Sequence, residues 1–284
     1  MTARRLPYLL IGGAAVYLAL LTAAPLLTGL WLSVTDTQLL NPMGGVFIGF
    51  EHYVKLFGEP GFFRSLLVTL VYTAATVAAS LLLGTLAAVL VNRSFPGRTA
   101  ARTVLTMPWA VPTVAVALIF AWIYNNDSGV LNRLLGPARQ GWLTDTDWAL
   151  VSVTVASVWK VFPFVMLVAL AALQSVPEEL RESARVDGAD RLNAFRDVVF
   201  PFLRPTLRVV ALLMTIWSLR RFDIIWLLTQ GGPVDATETV VIGVYRESFV
   251  NSDLGLSAAI GAVGLLISSL VTVAHFLLDR REDA

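Results

Sequence analysis

The chain has 284 residues, 56% of them hydrophobic and only 14% charged, with a formal net charge of +1 and a mean hydropathy of +0.72. Globular domains carry roughly 25% charged residues, so this balance points to a membrane and gives no reason to expect a nucleic-acid partner. Cysteine is absent, which excludes disulfides, thiolate metal sites and thiol nucleophiles together. The histidines, His52 and His275, stand too far apart in sequence to suggest a metal centre.

A membrane-crossing helix needs about 20 mostly apolar residues. Runs of that kind occur at residues 6–34, 65–91, 103–126, 148–176, 209–228 and 254–278. The expectation is an all-α integral membrane protein of about six transmembrane helices. The first run follows Arg4 and Arg5, as a secretory signal would, but it exceeds the roughly 7–15 apolar residues of such a signal. Pro25 also follows its only small-residue cleavage site, so the run reads as a retained anchor. Residues 1–61 then hold the first helix and an outer loop, and residues 62–284 the rest of the membrane domain. The fifth run is interrupted by Arg220, Arg221 and Asp223. Neither lysine, Lys55 or Lys160, lies in a GxxxxGK[ST] loop, so any nucleotide chemistry must come from a partner.

Positive residues gather on the cytoplasmic side of membrane proteins. With six crossings, one side holds Arg4, Arg5, Arg93, Arg98, Arg102, Arg181, Arg185, Arg191, Arg196, Arg204, Arg208, Arg280 and Arg281. The other holds only Lys55, Arg64, Arg133, Arg139 and Arg246. Both termini are therefore expected in the cytoplasm, in a multi-pass protein of a bacterial or archaeal plasma membrane.

One charged, helix-patterned block, ESARVDGADRLNAFRDVVFP at 182–201, lies between apolar runs on that same side. Ser175-Val-Pro-Glu178 has the form of a capping box, with acids in the first turns where the helix dipole favours them. Gly188 is a natural helix stop, Asp190 can cap a second short helix over 191–199, and Pro201 would end it. A helix–glycine–helix of this kind offers a docking surface and no nucleophile–base pair.

The spacing Glu182-Ser-Ala-x-x-x-Gly188, then nine residues, then Val198-x-Phe200-Pro201 resembles the EAA motif of ABC importer permeases. Ser183 replaces an alanine there, and Val198 and Phe200 replace isoleucine and leucine. The flanks LQSVPEELRESARVDGA and FPFLRP are similar to the carbohydrate-uptake branch. So are FDIIWLLTQGGPVDATETVVIGVYRESF at 222–249 and MPWAVPTVAVALIFAWIYNNDSGVLN at 107–132. The resemblance covers nearly all of 62–278.

It implies a type I ABC importer permease fold, with coupling helices at 175–201 seated in a cytoplasmic ATPase through Glu182, Ser183, Ala184, Asp187, Gly188 and Pro201. It also implies a substrate pathway lined by Lys160, Val161, Phe164, Trp217, Ser218 and Arg221. The implied partners are a second, homologous permease, two ATP-binding cassette ATPases, an extracytoplasmic solute-binding protein and a sugar. ATP and Mg would be bound by the ATPases, with no cofactor or metal in this chain and no covalent chemistry. Lys160 falls about 18 Å into its helix at roughly 1.5 Å per residue, near mid-membrane. Charges there are costly and default to a functional role. Substrate contact and ion pairing, with Asp223 or with the second permease, are both open for Lys160 and the arginines. A phosphorylated polyol such as glycerol 3-phosphate is the alternative substrate. An ion-driven carrier would be expected to show inverted repeats and intramembrane acids, and an intramembrane enzyme would need an acid–base constellation. Neither pattern is evident.

Overall fold

The computed structural model describes residues 6–186 and 188–282. In chain order the helices are α1 (Leu6–Leu32), α2 (Glu51–Gly58), α3 (Pro60–Asn92), α4 (Arg98–Ala110) and α5 (Thr113–Ile123). They continue with α6 (Val130–Leu135), α7 (Thr146–Gln174), α8 (Glu178–Val186), α9 (Arg191–Ala194), α10 (Phe200–Leu219) and α11 (Asp223–Thr229). The series ends with α12 (Val240–Tyr245) and α13 (Leu254–Glu282). Five described helices are long and apolar enough to cross a membrane, and α4 with α5, bent by 99°, passes the same test as a pair, as a broken sixth span or a re-entrant loop does.

The described residues fall into two compact units. One comprises residues 1–64 and 243–267, the other residues 65–242 and 268–284. In the first, no described residue of the 11–32 span is buried, as suits an apolar helix that faces lipid or another chain. The loop after it is knitted to the start of α13. His52 Nε2 donates to the Thr35 carbonyl (2.9 Å), Gly255 N–H to Thr37 (3.0 Å) and Leu39 N–H to Ser252 (2.8 Å). His52 is thus buried and hydrogen-bonded within the fold.

In the second unit α7 is the hub, touching α4, α5, α10 and α11. More than half of its span is buried, a larger share than in any other described span. Asp145 starts it by accepting the Asp147 N–H (2.9 Å). In the same unit α3 buries a stripe of hydroxyls, Thr69, Tyr72, Thr73, Thr76 and Ser80, of which Tyr72 Oη donates to Ser157 Oγ of α7 (2.7 Å) and Thr69 Oγ1 accepts the Val240 N–H (2.9 Å). One turn further on, Gly84 lets α3 approach α7 closely: a Cβ there would lie 2.5 Å from Val165 Cβ and 2.9 Å from the Phe162 carbonyl.

Two expected spans differ from those read in the sequence. The 103–126 run is helical at both ends but breaks at Val111–Pro112. The 209–228 run is interrupted too: the helix ends at Leu219 and restarts at Asp223, so the continuous span is Leu192–Leu219. Pro201 therefore does not stop the second short helix. α9 passes through a π turn at Phe195–Val199 straight into α10. A wide turn removes the clash a proline would make with the carbonyl four residues back.

Replacing Gly84 by alanine should overpack the α3–α7 contact. We expect a loss of about 1–3 kcal/mol, read as a lowered unfolding midpoint of the detergent-solubilised protein. An unchanged midpoint would mean that the two helices separate freely here.

Candidate functional site: an aromatic cluster at two helix breaks

The break between α4 and α5 leaves carbonyls at the end of α4 without helical partners, at a depth where water is scarce. Lys160, midway along α7, supplies them. Its Nζ donates to the carbonyls of Pro108 (3.3 Å), Trp109 (2.8 Å) and Val111. An ammonium has three N–H donors, and all three are used. The Trp109 ring lies over the same nitrogen, 5.6 Å from centroid to Nζ, a separation at which the ring face attracts a cation.

This clasp sets the position of Trp109, which the sequence reading did not single out. The ring stacks on Trp217 (6.0 Å, 22°) and lies 5.3 Å from Phe164, while Phe164 and Trp217 are 5.0 Å apart. Three helices thus converge through their aromatic side chains. The available signal was Trp109 in MPWAVP, between two prolines, where a span cannot stay straight.

Beside Trp217 lies a cavity of about 300 Å³ lined by Trp217, Arg220, Arg221, Phe222 and Asp223, at the break between α10 and α11. Arg221 is half-buried, and its Nε is fully buried without a hydrogen-bond partner; the buried hydroxyl of Ser218 is likewise unpartnered. Among the described residues no ion pair joins Asp223 to Arg220 or Arg221. Of the sequence-nominated pathway residues, Phe164 and Trp217 meet in the cluster, and Trp217 and Arg221 border the cavity. Lys160 faces the end of α4. Val161, 1% exposed, packs with Val165, Val210 and Met214 in the α7–α10 core.

The charged block lies in the same unit. α8 ends at Gly188, which adopts φ +80°, and Ala189 N–H reaches back to the Ala184 carbonyl (2.9 Å), the longer bond of a Schellman turn. Asp190 caps α9 by accepting the Asn193 N–H (2.8 Å). Ser175, read as half of a capping box, instead closes α7: its hydroxyl donates to the Ala172 carbonyl (2.8 Å), two residues before α8 can be capped. Glu182, Ser183 and Gly188 are exposed, Ala184 is buried, and Pro201 is exposed in the first turn of α10. Asp187, together with Arg4 and Arg5, lies outside the described residues. Phe195, Val199 and Leu203 join Ala88, Val91, Met166 and Leu173 in one apolar cluster, fastening the block to α3 and α7.

Residues 80–283, the greater part of the chain and including both breaks and the charged block, match the model of one family, the binding-protein-dependent transport system inner membrane component. The chain belongs to that family. This permease is 33% identical to the sulfoquinovosyl glycerol transport system permease protein SmoG of Agrobacterium fabrum, over 99% of this chain and 92% of the relative. It is 31% identical to the trehalose/maltose transport system permease protein MalF of Thermococcus litoralis, over 97% and 94%. In fold it matches a chain of a bacterial alginate ABC transporter, with TM-score 0.86, 23% identity and coverage of 98% and 95%. The permease is therefore a multi-pass plasma-membrane protein with the fold of ABC importer permeases.

Lys160→Met should leave the carbonyls at the end of α4 unsatisfied, costing about 1–3 kcal/mol, and free Trp109 from its stack. A lower unfolding midpoint with red-shifted tryptophan emission would report both. Lys160→Arg should recover only part, because a planar guanidinium cannot converge on three carbonyls as an ammonium does. Unaltered emission in Lys160→Met would detach the clasp from the cluster.

Proposed function

We propose that this permease forms half of the translocation pathway of an ATP-driven importer of mono-, di- or oligosaccharides. The observation that carries this reading is the Trp109–Phe164–Trp217 cluster beside a cavity with polar donors. Aromatic faces cover the C–H faces of a sugar ring, and Arg and Ser donors serve its hydroxyls. The sugar-transport names of SmoG and MalF, each similar over nearly the whole chain, favour the same substrate class.

The chain works with a second permease, two ATP-binding cassette ATPases and an extracytoplasmic solute-binding protein. ATP and Mg are bound by the ATPases, and both termini of this chain face them in the cytoplasm. Glu182, Ser183, Gly188 and the α8–α9 turn dock on the ATPase; buried Ala184 holds the turn's geometry from within, and Pro201 lies exposed where the π turn leads into α10. α9, the π turn and α10 run without interruption from that turn to Trp217. At 1.5 Å per residue this makes a rod of about 40 Å. Movement of the docked turn therefore reaches the cavity as a rigid-body displacement.

The test is glycoside-stimulated ATPase activity of the reconstituted complex. Gly188→Arg imposes a left-handed conformation on a side-chain-bearing residue, at about 1–2 kcal/mol, and adds bulk at the docking turn. We expect stimulation to fall about tenfold or more while the complex still assembles. Full stimulation in the variant would remove the coupling role, and stimulation by no glycoside in the native complex would remove the sugar reading.

A further inference from the structure

The cavity at the α10–α11 break carries more positive charge than its surroundings neutralise. Arg220 and Arg221 stand on its wall with Asp223 as the single acid among the lining residues. Lys160 lies within electrostatic range of Arg221. Its amine is solvated by carbonyls, which stabilise the charge without cancelling it. At each break the C-terminal end of one helix meets the N-terminal start of the next, α5 or α11, so their opposite half charges offset one another. Two arginines against one carboxylate leave the lining residues one charge positive. Asp223 forms no ion pair with either arginine, and the buried Nε of Arg221 and hydroxyl of Ser218 have no partner. Uncompensated charge at membrane depth is expensive, so a mobile anion that arrives with the substrate would complete the site.

We propose that the preferred solute of this permease is a monoanionic glycoside, a sugar bearing one carboxylate or sulfonate. Its acidic group lies against Arg221 and Arg220, and its ring against Trp217, which Trp109 backs by stacking. This rests on the sugar-importer reading above and adds the charge of the substrate. A guanidinium takes a carboxylate or sulfonate through paired, charge-assisted hydrogen bonds. A phosphate dianion fits less well, because Asp223 in the same cavity repels the second charge. At about 300 Å³ the cavity is at the lower end of small-molecule sites, suited to one ring and its acidic substituent at a time.

The experiment uses the full complex with its own binding protein in proteoliposomes, and compares a β-glucuronide, the matching β-glucoside and glycerol 3-phosphate as stimulants of ATPase activity and uptake. The glucuronide should stimulate at about tenfold lower concentration than the glucoside. Arg221→Gln should abolish that preference and Arg221→Lys keep most of it. Co-purification of each variant chain with its partner subunits reports assembly. Equal responses to glucuronide and glucoside, or a preference that survives Arg221→Gln, would overturn the anion assignment and leave the sugar importer standing. A stronger response to glycerol 3-phosphate than to either glycoside would replace the monoanion with a phosphorylated polyol. Failure of Arg221→Gln to assemble, with rescue by Arg221→Lys, would make the guanidinium a partner of the second permease and sink the proposal. Stimulation by none of the three would remove the sugar reading itself, and this inference with it.

Discussion

A helix that stops partway across a bilayer exposes carbonyls that neither lipid nor neighbouring backbone can satisfy, and each costs several kcal/mol if left alone. The permease meets this constraint with one side chain. Lys160, from the middle of the most buried helix, directs its amine at the carbonyls where α4 ends. A charge costly to place at that depth and a backbone costly to leave open offset one another. The 99° bend, the start of α5 and the position of Trp109 all follow from that pairing.

In the proposed coupling scheme the same hub links recognition to energy input. α7 meets α10 through Val161, Val165, Val210 and Met214 near the aromatic cluster. Further along it meets the π turn and α10, through Met166, Leu173, Val199 and Leu203 near the α8–α9 turn. Close packing at both ends leaves α10 little freedom to bend between them, since tightly packed interiors transmit displacement rather than absorb it. The π turn at Phe195–Val199 matters here. It carries Pro201 within a continuous helix, where an ordinary turn would have broken it and separated the α8–α9 turn from the span.

Hydropathy made the number of spans legible, because about 20 apolar residues have few other uses. Gly188 and Asp190 marked a turn whose backbone chemistry the structure reproduces closely. The breaks were harder to see. Composition counts apolar residues and is blind to whether they lie on one axis, so the run through Pro112 read as straight. Arg220 and Arg221 read as an interruption inside a helix when they are its end. Lys160 was found by its depth, but depth alone could not separate a ligand from a clasp. Only the position of the α4 carbonyls, which lie about fifty residues earlier in sequence, makes that distinction. Trp109 was missed for the same reason: a tryptophan among apolar residues looks like packing until the bend brings it to Phe164 and Trp217.

The two mid-span breaks are unequal, and the difference assigns their roles. Irregular backbone at membrane depth persists only where protein buries it or where it lines a cavity. The α4–α5 break is of the first kind, because its carbonyls are occupied by Lys160 and no donor is left over. The α10–α11 break is of the second kind: it opens on a cavity, and the Nε of Arg221 and hydroxyl of Ser218 beside it remain unpartnered. A satisfied break fixes geometry and has nothing further to offer a solute. An unsatisfied one gains most from an incoming ligand, and α10 carries it on the same continuous helix that begins after the α8–α9 turn. Selectivity is therefore best placed at Trp217–Asp223, with Lys160 setting the wall against which it works.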